Sequence, residues 1–143
     1  MQSLKYFILL LTSGTFLLGC SNNSQMIERK DYHTWENRIG YSQVVKVNNT
    51  LYISGITSEK ENMEGQLNEV YSSIKNILSD YGVGTDAIIK ETIFTTDIEG
   101  LKNAIPVRKA HFNNKFPSSS WVEVKRLWDP INLIEIEVVA VLP

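Results

Sequence analysis

The spacing of apolar residues alternates along the chain between period two and the period of a helix. Residues 41–47 and 51–57 are rich in β-branched and aromatic residues, and Asn48-Asn49-Thr50 between them suits a tight hairpin turn. From Gly65 to Tyr81 the period becomes helical, and Gly82 is a suitable stop. The apolar face of this predicted helix comprises Leu67, Val70, Ile74, Ile77, Leu78 and Tyr81.

The second half of the chain repeats the alternation of strand and helix patterns. Residues 88–96 are apolar on both sides of a predicted strand, which indicates a strand covered on both faces. A helical pattern follows from Asp97 to Phe112, and Pro106 inside it predicts that a new helix begins there after a short helical turn. Strand patterns at 121–127 and 133–142 flank a turn around Asp129-Pro130.

The order strand, strand, helix, strand, helix, strand, strand predicts an α+β fold of two layers. In this arrangement two helices pack on one face of a mixed β-sheet. The other sheet face would stay partly apolar, and such a face usually contacts a partner, often a second copy of the chain.

The first nineteen residues read as a secretory signal peptide. Lys5 precedes an apolar run from Tyr6 to Leu18 that is shorter than the roughly 20 residues of a membrane-spanning helix. The run ends in Leu17-Leu18-Gly19-Cys20, which resembles the lipobox of bacterial lipoproteins, where the cysteine is lipidated. We therefore expect a signal peptide at 1–19, a lipid on Cys20, a flexible tether at 20–35 and the folded domain at 36–143.

Lipidation of Cys20 would place the protein in the bacterial cell envelope. Two or more acyl chains anchor a protein stably to a membrane without a spanning helix. Cys20 is not followed by aspartate, and by the lipoprotein sorting rules this favours the outer membrane, facing the periplasm, in a Gram-negative cell.

Charge and composition disfavour several classes of function. The chain has 14 basic and 16 acidic residues and a formal net charge of −2, so no clustered cations favour a nucleic acid partner. Two histidines and one cysteine give no metal-ligand spacing, and we expect neither a metal nor another cofactor. Ser118-Ser119-Ser120 lacks the G-x-S-x-G context of a serine hydrolase.

Two strand patterns carry the candidate functional residues. Alternation places Glu135 and Glu137 on one face of the last strand, as either a solvent-facing stripe or a carboxylate in a cleft. In the preceding strand Ser119, Trp121 and Glu123 share one face. Val122 and Val124 share the other, which we predict to be the core face, so the Ser119 face would be open to a cleft or a partner subunit.

Several motifs together resemble the RidA family, also called YjgF, the reactive intermediate deaminases. The resemblance covers residues 39–141. It is carried by Ile39-Gly40-Tyr41-Ser42-Gln43, Leu51-Tyr52-Ile53-Ser54-Gly55, the Gln66 helix with Leu78 and Gly82, Phe94-x-x-Asp97, Val122-Glu123-Val124-x-Arg126-Leu127 and Glu135-Ile136-Glu137-Val138-Val139-Ala140.

The resemblance implies a chorismate-mutase-like α+β fold assembled as a homotrimer with small-molecule clefts between subunits. Characterised members hydrolyse enamines and imines such as 2-aminoacrylate to keto acids and ammonia. It also implies ligand-binding roles for Tyr41, Ser54 and Gly55, and a role for Glu135 at the reactive water.

The chain departs from the family pattern at the place where an arginine holds the substrate carboxylate. Pro117-Ser118-Ser119-Ser120 stands there, so the arginine is replaced by Ser119. Trp121 occupies a position that is usually small, and Ile105 one that is usually asparagine. A charged hydrogen bond contributes roughly 1.5–3 kcal/mol, so loss of this clamp would weaken binding of a 2-imino acid by orders of magnitude.

Three functions remain open at this stage. The first is a lipid-anchored trimer whose cleft binds an uncharged or aromatic small molecule. The second is an imine or enamine hydrolase for substrates without a carboxylate, with Glu135 as its catalytic residue. The third is a non-catalytic interaction protein of the cell envelope.

Overall fold

One mixed β-sheet organises the part of the chain that the computed structural model describes, residues 26–143. The predicted signal peptide, Cys20 and residues 21–25 lie outside the described residues. The elements are β1 (Ile27–Lys30), α1 (Thr34–Ile39), β2 (Val44–Val47), β3 (Thr50–Thr57), α2 (Met63–Asp80), β4 (Ile88–Thr95), α3 (Ile98–Asn103), α4 (Ile105–Ala110), β5 (Ser118–Glu123) and β6 (Ile134–Val141).

The strand order across the sheet is β1-β2-β3-β6-β4-β5. The β4–β5 pair is parallel and the other pairs are antiparallel. The parallel pair requires a crossover connection, which α3 and α4 provide. The predicted α+β fold with a mixed sheet is confirmed.

The core lies between α2 and one face of the sheet. Leu67, Val70 and Ile74 on α2 are fully buried, as are Ile134 and Ile136 on β6. The Asn62 side chain accepts a hydrogen bond of 2.8 Å from the Gly65 backbone and caps the start of α2. The helix predicted from period alone is therefore confirmed. Within residues 26–143, no helix combines the length and apolarity that crossing a membrane requires.

The second helical region is divided into α3 and α4. Asp97 caps α3 by accepting a hydrogen bond of 2.8 Å from the Gly100 backbone. Pro106 is the second residue of α4, where a missing backbone N–H removes no helical hydrogen bond. The predicted helix break beside Pro106 is confirmed.

The predicted flexible tether is wrong for residues 27–30. These residues form β1, which pairs with β2 in register from Ile27 opposite Val47 to Lys30 opposite Val44. The exposed edge of β2 supplies backbone hydrogen bonds that a polar sequence can use as well as an apolar one. A 2.6 Å ion pair from Lys30 to Asp80 at the end of α2 also holds the segment.

The structure corrects both the limits and the faces of β5. The strand runs from Ser118 to Glu123 instead of 121–127, because its partner β4 ends at Thr95. Trp121 faces the helices and packs against the core, whereas Val122 is exposed on the opposite sheet face. The prediction that the valine face is the core face was therefore wrong.

Candidate functional site

An open cleft of about 980 Å³ lies where the segment before β2 meets β3, α2 and the start of β6. Four of the predicted site residues line it: Tyr41, Ser54, Gly55 and Glu135. We call it the Glu135 cleft. Its wall also includes Trp35 and Arg38 of α1, and Trp128, Asp129 and Asn132 from the loop before β6.

Glu135 enters the cleft through an irregularity in β3. The register between β3 and β6 shifts between Ile53 and Ile56, and Gly55 lies within this shift. A Cβ atom at position 55 would collide with Glu135 Oε1. Only glycine therefore lets the carboxylate lie directly against the β3 backbone.

The environment of Glu135 favours its protonated form. Burial raises the pKa of this half-buried carboxyl, and the neighbouring negative charge of Glu137 raises it further. A carboxyl whose pKa lies above its usual range can accept and return a proton closer to neutral pH.

Tyr41 stands beside this carboxyl because of a sharp turn at the end of α1. Gly40 ends α1 with φ of 98°, in the left-handed region that favours glycine, and the chain then enters the cleft. Burial raises the pKa of Tyr41, and the charges of Glu36 and Glu135 add to the effect. The phenol therefore stays protonated and can donate a hydrogen bond into the cleft.

Ser54 has a structural role in joining β3 to the Tyr41 segment. Its hydroxyl donates to the Ser42 carbonyl at 2.8 Å, and the Gln43 side-chain amide donates to the Ser54 carbonyl at 2.9 Å. The Ser54 backbone N–H also donates to the Gln43 carbonyl at 2.9 Å. These bonds fix the position of Tyr41 relative to Gly55.

Ser119 and Trp121 belong to a different group of side chains, which we call the Trp121 cluster: Tyr71, Glu91, Arg108, Ser119 and Trp121. Ser119 Oγ donates to Glu91 Oε1 at 2.6 Å, and Trp121 Nε1 donates to Ser119 Oγ at 2.6 Å. The Ser119 hydroxyl therefore already donates one hydrogen bond, to Glu91, and accepts one, from Trp121.

Glu91 is the centre of the Trp121 cluster. It is fully buried on β4 and pairs with the guanidinium of Arg108 on α4, whose Nε donates at 2.8 Å. Tyr71 donates to the other Glu91 oxygen at 2.9 Å. The Arg108 guanidinium also lies 5.4 Å from the centre of the Trp121 ring. The positive charge of Arg108 is therefore held inside the protein by Glu91 and Trp121 and is not directed toward solvent.

The predicted site residues form two separate groups in one chain. Ser119, Trp121 and Ile105 do not line the Glu135 cleft. Ile105 is the first residue of α4 and is 36% exposed.

Sequence reasoning missed Trp35, Arg38 and Trp128 in the Glu135 cleft and Glu91 in the Trp121 cluster. The signal for Glu91 was a single carboxylate inside the apolar strand pattern at 88–96, at a position that alternation places toward the core. In the described range 26–143, no three His, Cys, Asp or Glu side chains are grouped as a metal site would require.

Comparison with known proteins identifies the family. The model of the family described as "Endoribonuclease L-PSP" matches residues 34–142. Protein MMF1, mitochondrial, from Saccharomyces cerevisiae is 34% identical over 109 residues, which cover 71% of this chain and 74% of that protein. Reactive Intermediate Deaminase A, chloroplastic, from Arabidopsis thaliana is 30% identical over 111 residues, which cover 71% of this chain and 58% of that protein. The chain belongs to the RidA/YjgF family.

Solved structures of RidA/YjgF proteins have the same fold. The crystal structure of yeast Mmf1 matches with a TM-score of 0.66 and 28% identity, covering 79% of this chain and 91% of that one. A member of the YjgF/YER057c/UK114 family from Mycobacterium tuberculosis matches with a TM-score of 0.76 and 24% identity, covering 82% and 100%. The predicted RidA/YjgF fold and family are thus confirmed.

Proposed function

We propose that this RidA/YjgF protein binds small molecules that lack a carboxylate, in a cleft between subunits of a homotrimer. The observation that carries the proposal is the engagement of both Ser119 and Arg108 by Glu91. By its resemblance to the family, Ser119 stands where an arginine would hold a substrate carboxylate. Arg108 is the cation of the Trp121 cluster, and a buried carboxylate already neutralises it.

The separation of the two groups of site residues supports an intersubunit cleft. Tyr41, Gly55 and Glu135 line the Glu135 cleft, whereas Ser119 and Trp121 lie on the edge strand β5. A threefold arrangement would bring one group of each copy to the other group of its neighbour. Sedimentation equilibrium tests the assembly, and a mass of three chains is expected.

The binding proposal is tested by the thermal stability of the full chain with a panel of small aromatic ligands. Amides and alcohols should raise Tm, because a ligand that binds only the folded protein stabilises it by mass action. Matched carboxylates should raise it less. No shift with any neutral ligand, together with turnover of 2-imino acids, would refute the proposal.

Hydrolysis of imines without a carboxylate is a second candidate function, favoured by the raised pKa of Glu135. In this reaction water adds to the carbon of a C=N bond while Glu135 takes a proton from the water. For a protonated imine this addition gives a neutral carbinolamine. Glu135 then returns its proton to the nitrogen and takes the hydroxyl proton as the C–N bond breaks, which releases ammonia and a carbonyl compound. Glu135→Gln should abolish ammonia release, and unchanged release would remove Glu135 from the mechanism.

The proposal includes a lipid anchor on Cys20 in the cell envelope and no nucleic acid partner. The sequence around Cys20 supports the anchor, and mass spectrometry of the membrane fraction tests it: the expected amino-terminal peptide carries acyl chains on Cys20. The net charge of −2 supports the absence of an RNA substrate. In a filter-binding assay at low salt, we expect no retention of RNA.

A further inference from the structure

We propose that the Glu135 cleft selects a positively charged organic ligand, a protonated amine attached to an apolar or aromatic group. The inference rests on the proposed function and specifies the charge of its ligand. Three features of the cleft carry it: the balance of charges, the aromatic wall and a buried carboxylate behind that wall.

Carboxylates outnumber cations in the lining of the cleft. Five carboxylate side chains and the single guanidinium of Arg38 line it, the carboxylates being Glu59, Asp80, Asp129, Glu135 and Glu137. Asp80 forms a 2.6 Å ion pair with Lys30 and the environment of Glu135 favours its protonated form, so the carboxylates of Glu59, Asp129 and Glu137 still outnumber the one cation. A cleft lined by one sign of charge raises the local concentration of ligands of the opposite sign.

Aromatic side chains supply the apolar part of a cation site. The ring centres of Trp35 and Tyr41 are 5.9 Å apart with an interplanar angle of 60°, so the two rings form adjacent walls set at an angle. His33 stacks on Trp35 at 5.6 Å and holds its plane. Trp128 lines the same cleft and is 80% exposed. Aromatic faces attract cations within about 6 Å of the ring centre.

Glu36 adds negative charge immediately behind this aromatic wall. The residue is fully buried, and its Oε2 accepts hydrogen bonds from the backbone N–H groups of Tyr32 and His33. Its Oε1 is buried and has no hydrogen-bond partner within residues 26–143. Burial is the main cause of the raised pKa of the cleft residue Tyr41, and the charge of Glu36 raises it further. A cation in the cleft would be attracted by Glu36 as well as by Glu135.

The same features disfavour an anionic ligand. A carboxylate placed between Tyr41 and Glu135 would lie among like charges, and only Arg38 would attract it. Arg38 is exposed on α1 and has no carboxylate partner within 4.0 Å in the described part of the chain. Replacing Arg38 by Gln should therefore strengthen the binding of a cation.

Three ligands of one shape and different charge test the inference by titration calorimetry on the full chain in detergent. Benzylammonium should bind at least about tenfold more tightly than benzyl alcohol, and benzoate should bind most weakly. Added salt should weaken the binding of benzylammonium, because it screens the attraction. Trp35→Leu and Glu135→Gln should each weaken it several-fold.

Matched controls lie outside the cleft. Glu99→Gln removes an exposed carboxylate from α3, and Phe116→Leu removes an exposed aromatic ring. Both controls should leave the binding of benzylammonium unchanged.

The possible outcomes separate this inference from the proposed function. Equal affinity for benzyl alcohol and benzylammonium would overturn the inference and leave the proposed function standing. Tightest binding of benzoate would overturn both. Two other results would also overturn the inference. The first is no binding of benzylammonium at millimolar concentration. The second is an equal loss of affinity for benzylammonium in the control variants and in Trp35→Leu and Glu135→Gln.

Discussion

Replacing Arg108 by Met should destabilise the protein strongly, because it removes the cation from a buried ion pair. Glu91 is fully buried and Arg108 is 6% exposed. The variant would leave the Glu91 carboxylate in the core with only the hydroxyl groups of Tyr71 and Ser119 as donors. Removing one partner of a buried pair costs about 3–5 kcal/mol.

The size of this effect can be measured by thermal or urea unfolding. For a domain of this size a loss of 1 kcal/mol lowers Tm by about 4 °C, so Arg108→Met should lower Tm by about 10–20 °C. Lys102→Met is the matched control, because it breaks the exposed ion pair with Glu99. Exposed pairs contribute about 0–1 kcal/mol, so the control should change Tm little.

A second substitution distinguishes lost charge pairing from lost packing. Adding Glu91→Gln to Arg108→Met removes the unpaired charge and keeps a side chain that can bond to Tyr71 and Ser119. The double variant should regain about 2 kcal/mol relative to Arg108→Met alone. A loss below about 1 kcal/mol in Arg108→Met, or no recovery in the double variant, would refute the reasoning.

Three further predictions concern the Glu135 cleft. Gly55→Ala should cost about 1–3 kcal/mol in urea unfolding and abolish ligand binding, because its Cβ would collide with Glu135. Gly84→Ala serves as its control, because Gly84 is half-buried outside the cleft and an added Cβ would meet only the Asp86 carboxylate, at 3.2 Å. The pKa of Glu135 is raised from 4.5 in the folded state, so the parent loses stability as pH rises from 4.5 through the raised pKa. Glu135→Gln has no carboxyl group to titrate. Its free energy of unfolding should therefore exceed that of the parent well above pH 4.5, and the difference should disappear below pH 4.5. Gln66→Leu should cost more than about 2 kcal/mol, because the buried amide accepts from the backbone N–H groups of Leu133 and Ile134 just before Glu135; a smaller loss in urea unfolding would contradict this.

Elements with a long periodic pattern could be predicted from the sequence. The apolar face of α2 repeats over five turns, so its period identified it without tertiary information. The short helix α1 could not be found in this way. Its six residues depend on Glu36, whose buried carboxylate accepts from the backbone N–H of Tyr32 and His33. A single glutamate in a polar segment carries no period.

The candidate site could be predicted only in part. Motif resemblance located Tyr41, Gly55 and Glu135, and the structure brings them into one cleft. The orientation of β5 could not be predicted from its own alternation, because the face that carries Val122 is more apolar than the face that carries Ser119. The pairing of Ser119 with Glu91 across β4 decides the orientation instead, and such pairing between distant segments is not visible in a local pattern.

The release of ammonia from 2-aminoacrylate, formed in the assay and measured with and without the full chain, shows whether the protein acts on a substrate that carries a carboxylate. We expect no acceleration of the spontaneous reaction, because Ser119 and Arg108 are both engaged by Glu91 and the Glu135 cleft is lined by carboxylates. Acceleration that is lost in Glu135→Gln would show that the cleft accepts a 2-imino acid and would refute the proposed preference for ligands without a carboxylate.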